Sequence, residues 1–177
     1  MNKPFATLSD AIKHWAQVKP VAPALKAPGA EDLSYAMLNQ QLDTAADQLA
    51  ALGYSADHRL ALVLPQSILL ASCLLTLGSS CAVFPITASL TVPELVKAFK
   101  KGDVSAVLVT TADSEPARAA AAECGVPVIE LVTADGCHSA QYTLSGSPAA
   151  VPASTRMQPD TTAFLISTSG TTGTGKL

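Results

Sequence analysis

The chain has 177 residues, 49% of them hydrophobic and 14% charged, with a net charge of -3. Its length suggests one domain or a large piece of one, and its charge content lies well below the roughly 25% usual for a free-standing domain. An acidic chain with no run of Lys or Arg excludes nucleic-acid binding driven by phosphate neutralisation.

The low charge fits either an Ala-rich surface or a surface that something else covers. Lys97, Lys100 and Lys101 form the one basic cluster, which reads as the solvated face of a helix. Cys73, Cys81, Cys124 and Cys137 make no C-x-x-C pair, and His14, His58 and His138 show no ligand spacing. No metal site is therefore expected. Cys73 and Cys81 sit in apolar runs and read as buried free thiols, which fits a reducing compartment and a cytoplasmic protein. No secretory signal follows Met1. Leu60 to Pro93 contains no charged residue. Pro65, Gln66, Gly78, Ser79, Ser80 and Pro85 punctuate that stretch, so it reads as buried strand, helix and strand rather than a membrane span.

In chain order, Thr7 to Val18 reads as a first helix, with Ser9 as its cap and Leu8, Ile12 and Trp15 on one face. Pro20 and Pro23 end it. A short strand is expected over Pro23 to Ala27, then a turn over Gly29 to Asp32. Ser34 caps a long amphipathic helix whose apolar positions Leu38, Leu42, Ala45, Ala46, Leu49 and Leu52 follow the 3.6 period. Gly53 occupies the position of its C-terminal cap. Arg59 to Leu64 is apolar on both faces, as in a central parallel strand. Ile68 to Leu77 is a buried helix and Ala82 to Ile86 a strand. Helix Glu94 to Lys101, strand Val104 to Thr110, helix Ser114 to Cys124 and strand Val126 to Leu131 continue the alternation. Thr133 to Asp160 is rich in Gly, Ser, Pro and Ala and is read as mainly loop, with a short strand near Tyr142 to Leu144. Thr162 to Ile166 is a last strand. No internal repeat is visible.

This alternation predicts an α/β fold with a mostly parallel sheet flanked by helices. Residues 1–160 are expected to form one subdomain, loop-rich over 133–160, and residues 161–177 a strand plus a truncated phosphate-binding loop. In such sheets ligands lie beyond the carboxyl ends of the strands. The last strand leads into Ser167-Thr168-Ser169-Gly170-Thr171-Thr172-Gly173-Thr174-Gly175-Lys176. Glycines let amide N–H groups approach a ligand, successive amides form an anion-binding concavity, the hydroxyls add donors, and Lys176 adds a mobile positive charge. The alternative is a flexible Ser/Thr/Gly-rich tail. Gly170 to Lys176 also satisfies G-x-x-x-x-G-K, but a P-loop NTPase needs Ser or Thr next for magnesium, and Leu177 stands there.

Thr168 to Lys176 resembles the T-S-G-[ST]-T-G-x-P-K-G signature of the adenylate-forming superfamily. That superfamily comprises acyl- and aryl-CoA synthetases, nonribosomal peptide synthetase adenylation domains and luciferases. Gly175 replaces its usual Pro and Leu177 its usual Gly. Upstream, Leu33-Ser34-Tyr35-Ala36-Met37-Leu38 is similar to L-[ST]-Y-x-E-L, and Asp57 to Ser67 to G-D-R-V-A-L-x-L-P-N-S. Phe84-Pro85-Ile86 with Leu90 to Leu95 is similar to V-P-L-N-P followed by L-T-x-x-E-L.

The resemblance implies part of the N-terminal domain of an ATP-dependent carboxylate-activating ligase. Such a ligase forms an acyl-adenylate and then an acyl-CoA thioester, with ATP, Mg2+ and coenzyme A (or a carrier-protein phosphopantetheine) as participants. By the same resemblance Thr168, Ser169, Thr171 and Thr172 donate hydroxyls to the phosphates, Gly170 and Gly173 donate amides, and Lys176 supplies charge. No catalytic or metal-binding residue falls within the chain on this reading. The chain alone is expected to be inactive and to self-associate. A start close to the fold favours a CoA ligase over a peptide-synthetase adenylation domain. A P-loop NTPase fragment and a non-catalytic interaction module are the readings of another class.

Overall fold

Thr7, not Ser9, caps the first helix, α1 (Leu8–Val18). Its hydroxyl accepts from the Asp10 N–H at 3.1 Å, and the Asp10 carboxylate accepts from the Thr7 N–H at 3.1 Å. This reciprocal box satisfies two otherwise orphaned donors, which Ser9 inside the helix could not do. The fold is seen in a computed structural model that describes residues 5–112, 114–149 and 156–167.

Strands β1 (Pro23–Leu25) and β2 (Leu33–Ser34) form a small antiparallel pair. Ser34 caps α2 (Tyr35–Ala51) as expected, accepting from the Met37 N–H at 3.3 Å. Gly53 follows its end with φ 77°, a left-handed conformation that glycine adopts without steric cost. The alternation then runs β3 (Arg59–Leu64), α3 (Ile68–Leu77), β4 (Ala82–Thr87), α4 (Val92–Gly102), β5 (Ala106–Thr110), α5 (Glu115–Cys124), β6 (Val128–Val132) and β7 (Thr143–Gly146).

The main sheet has the order β4-β3-β5-β6-β7, parallel throughout except for β7, which runs antiparallel to β6. Side chains alternate faces along each strand. Leu60, Leu62, Leu64 and Leu108 therefore pack with Leu49, Leu69, Cys73 and Leu77 of α2 and α3. Ala61, Val63, Val107 and Val109 pack on the other side with Leu95, Phe99, Ala117 and Ala121 of α4 and α5. Burial on both faces explains why β3 reads as an unbroken apolar run. A third cluster joins Ile12 of α1, Leu38 and Leu42 of α2 and Ile68 of α3 to Leu33.

Two stretches refine the expectation. Within the loop-rich stretch Thr133 to Asp160, the short strand expected near Tyr142 to Leu144 lies at Thr143–Gly146 and is paired into the main sheet. A 3-10 turn (Gly136–His138) precedes β7, and β7 pairs with β6 from Thr143↔Val132 to Gly146↔Ile129. The outward-facing backbone of this stretch is taken up by α2. Gln41, 4% exposed, donates to the Tyr142 C=O at 2.9 Å and accepts from the Tyr142 N–H at 3.2 Å. Gln48 accepts from the Leu144 N–H at 2.8 Å, and the Leu52 C=O accepts from the Ala149 N–H at 2.8 Å.

The second stretch lies at the opposite edge. The expected strand Thr162 to Ile166 is reduced to one parallel bridge, Val83↔Phe164. The Val83 N–H donates to the Ala163 C=O and the Leu165 N–H donates to the Val83 C=O, both at 2.9 Å. The next rung of such a ladder would need a donor at position 85. That residue is Pro85, inside β4 rather than at the element break its punctuation suggests. Proline has no N–H and ends the ladder there.

Candidate functional site

The segment Thr162–Ser167 is the described lead-in to the expected phosphate loop. It runs parallel to β4, so it carries the chain toward the carboxyl ends of β3, β4, β5 and β6. Three contacts fix it. The two hydrogen bonds to Val83 set its height on the sheet. The Phe164 ring lies over Gly78, where an added Cβ would come within 3.2 Å of it, so glycine permits the close approach. Leu165 packs into the cluster under α4. Beyond these the chain faces solvent, with Phe164 41% and Ile166 67% exposed.

Thr168, Ser169, Gly170, Thr171, Thr172, Gly173 and Lys176 lie outside the described residues. What the structure places is their point of departure.

The neighbouring carboxyl ends are rich in hydroxyls, but these have local partners. Ser67 caps α3, accepting from the Leu70 N–H at 3.3 Å. Thr87 and Ser89 bond to each other at 3.0 Å. Glu94 accepts from both the N–H and the hydroxyl of Thr91, at 2.8 and 2.7 Å. These two bonds, the hydroxyl's first, hold its carboxyl below the usual range. Such bonds favour the charged form and here serve the start of α4. Among the described residues no group of three or more His, Cys, Asp or Glu could hold a metal ion, and no helix is long and apolar enough to cross a membrane.

A groove of about 680 Å³ opens elsewhere, between α1 and α2, lined by Asp10, Lys13, Asp43, Asp47, Tyr54 and Arg156 among others. It also touches Ser55, Ser79 and Ser80, which precede β3 and β4. It thus lies by the amino ends of the strands, away from the exit of the loop.

Residues important here that sequence reasoning passed over are Pro85, whose missing donor acts across the sheet, and Gly78, which was read only as a helix stop.

The fold and the lead-in define an α/β domain of the kind that binds ligands at the carboxyl ends of its strands. A family profile described as "AMP-binding enzyme" matches residues 12–177, and the chain belongs to that family. Solved structures agree on the fold. ATP-bound MatB from Rhodopseudomonas palustris superposes with TM-score 0.72 at 23% identity over 97% of this chain and 34% of its own. A fatty acyl CoA synthetase from Mycobacterium tuberculosis gives 0.67 at 22%, covering 93% of this chain and 33% of that one. A benzoate CoA ligase from Burkholderia xenovorans LB400 gives 0.64 at 17%, covering 84% and 30%. The chain thus spans about a third of the length of these structures. No curated protein sequence matches it.

Proposed function

We propose that this chain is the N-terminal part of an ATP-dependent carboxylate-activating ligase and that Thr168 to Lys176 cradles the triphosphate of ATP. The observation that carries the reading is the lead-in at Ala163–Leu165, which runs parallel to β4 toward the carboxyl ends of the sheet and is followed in the sequence by a Gly-, Ser- and Thr-rich run and Lys176. Membership of the AMP-binding family supports it, as does an ATP-bound structure among those of the same fold.

In this reading a substrate carboxylate attacks the α-phosphorus of ATP. The bond to the bridging oxygen breaks, and pyrophosphate departs with that electron pair. The hydroxyls of Thr168, Ser169, Thr171 and Thr172 and the amides of Gly170 and Gly173 donate to the departing phosphates, and Lys176 neutralises the growing charge. Donors held in place before the reaction stabilise charge that develops in its transition state. Magnesium would shield the phosphate charge, and the described residues offer it no ligand cluster. The thiol of coenzyme A, or of a carrier-protein phosphopantetheine, then attacks the acyl carbon; the bond to the phosphate oxygen breaks, AMP departs, and the thioester completes the proposed reaction. The 177-residue chain alone is inactive on this reading, and residues beyond it supply the rest of the site.

Carboxylate-dependent exchange of pyrophosphate into ATP by the full-length protein tests the proposal. Lys176→Ala is expected to lower the exchange rate roughly 100-fold, the scale on which removing one preorganised donor acts. Unchanged exchange in that variant, or full exchange by the isolated 177-residue chain, would overturn it.

A further inference from the structure

The chain enters β3 through a turn that one residue closes twice. The His58 N–H donates to the Ser55 C=O at 2.9 Å, and the Ser55 N–H donates back to Nδ1 of the His58 imidazole at 3.1 Å. Both residues are only 8% exposed, and a buried N–H that loses its acceptor is costly. A ring nitrogen that accepts carries no proton, and a protonated imidazole has donors only. The turn is therefore closed by a neutral ring. Imidazoles as a class change charge between pH 5 and 8. Asp57 to Ser67 is similar to G-D-R-V-A-L-x-L-P-N-S, and His58 stands where that pattern has Asp. An Asp Oδ1 hangs from Cγ as Nδ1 does, but a carboxylate goes on accepting through that pH range.

Two titratable groups are buried near the ring. Tyr54 meets it edge-on at 5.2 Å, and Cys81 precedes Ala82, whose N–H donates to the His58 C=O. Burial raises Tyr54 above 10.0, with Cys81 adding to the effect, and pushes Cys81 up to about 12. Neither changes charge between pH 5 and 8. The charged neighbours are exposed. Asp57 and Arg59 flank His58, and the Arg59 guanidinium is turned to the Gly102 C=O and Asp103. Asp10 and Lys13 of α1, Asp43 and Asp47 of α2, and Arg156 line the groove to which Tyr54 and Ser55 also contribute.

We propose that His58 is an acid-sensitive latch: neutral, it closes the turn that carries Tyr54 and Ser55 into the wall of the groove, and protonated, it releases the Ser55 N–H and lets that wall loosen. The bond exists only with the neutral ring. Its contribution is complete above the imidazole range and is lost as pH falls through it.

Hydrogen exchange at the Ser55 amide of the full-length protein, corrected for the intrinsic rate at each pH, tests the latch. Protection is expected to fall roughly thirtyfold from pH 7.5 to pH 5, the factor for a proton that binds only the open form of an imidazole with an ordinary pKa of about 6.5. His58→Asp and His58→Asn each keep an acceptor on Cγ and should hold protection constant over that interval. His14→Asn, on the exposed side of α1, should leave the fall in place. Equal protection at the two pH values in the wild type would overturn the proposal, whatever the variants do. So would a fall that persists in both His58 variants or one that His14→Asn abolishes.

Discussion

The two edges of the main sheet are built in opposite ways. At the β7 edge, Gln41, Gln48 and the Leu52 carbonyl take up the outward backbone groups of Tyr142, Leu144 and Ala149. At the Phe164 edge the chain makes one bridge and then shows solvent a phenylalanine and an isoleucine. Unpaired edges invite further strands, and proteins that stop a sheet block them. The β7 edge is a place where the sheet ends. At the Phe164 edge the described pairing stops at Pro85, which has no N–H to continue it.

Removing the seal should have the largest effect. Gln41→Ala leaves the Tyr142 N–H and C=O buried without partners and is expected to cost about 2–4 kcal/mol in urea unfolding. If its midpoint matches wild type, the edge is sealed by something other than α2.

Alkali sharpens the comparison, because each edge has a buried acid beneath it. Burial pushes the Cys81 thiol, just before β4, from 9.0 up to about 12. Burial also raises Tyr142 well above 10.0. The unfolded chain would release the Cys81 proton near pH 9 while the native state keeps it until about pH 12. Stability from the neutral thiol is therefore complete below pH 9 and lost as pH rises toward 12. Denaturant midpoints across pH 7 to 11 should decline from about pH 9 in the wild type. In Cys81→Ala the decline above pH 9 should be shallower than in the wild type. Identical profiles would mean that the thiol is not shielded.

The smallest change in stability is expected at the exposed edge. Ile166→Lys should alter it by no more than about 0.5 kcal/mol. It should nevertheless reduce self-association and hydrophobic-dye binding of the 177-residue chain, since exposed apolar patches drive both. A chain that is already monomeric and dye-silent would show that this edge is not sticky.

How much of this could be read in advance follows from where each signal sits. β3 and α3 were legible to the residue, since an apolar run bounded by Pro65, Ser67 and Gly78 carries its own limits. The seal was not. A helix pattern is read from its apolar positions, and Gln41 looks polar and outward until a partner 101 residues away is seen. β7 was half legible, because Thr143 to Gly146 carries too little alternation to claim a full strand. The lead-in looked like five residues of strand because its own sequence favours one. The residue that shortens it is Pro85, on the neighbouring strand, and no local reading of 162–166 contains it.

The glutamine seal also sets an order of assembly. Closing a loop of about a hundred residues must precede its reward, and the entropy of that closure opposes early formation. During synthesis α2 is complete long before Tyr142 exists. The β6 edge therefore stays bare until β7 has been made, and on that side the sheet is finished by a helix that was complete long before.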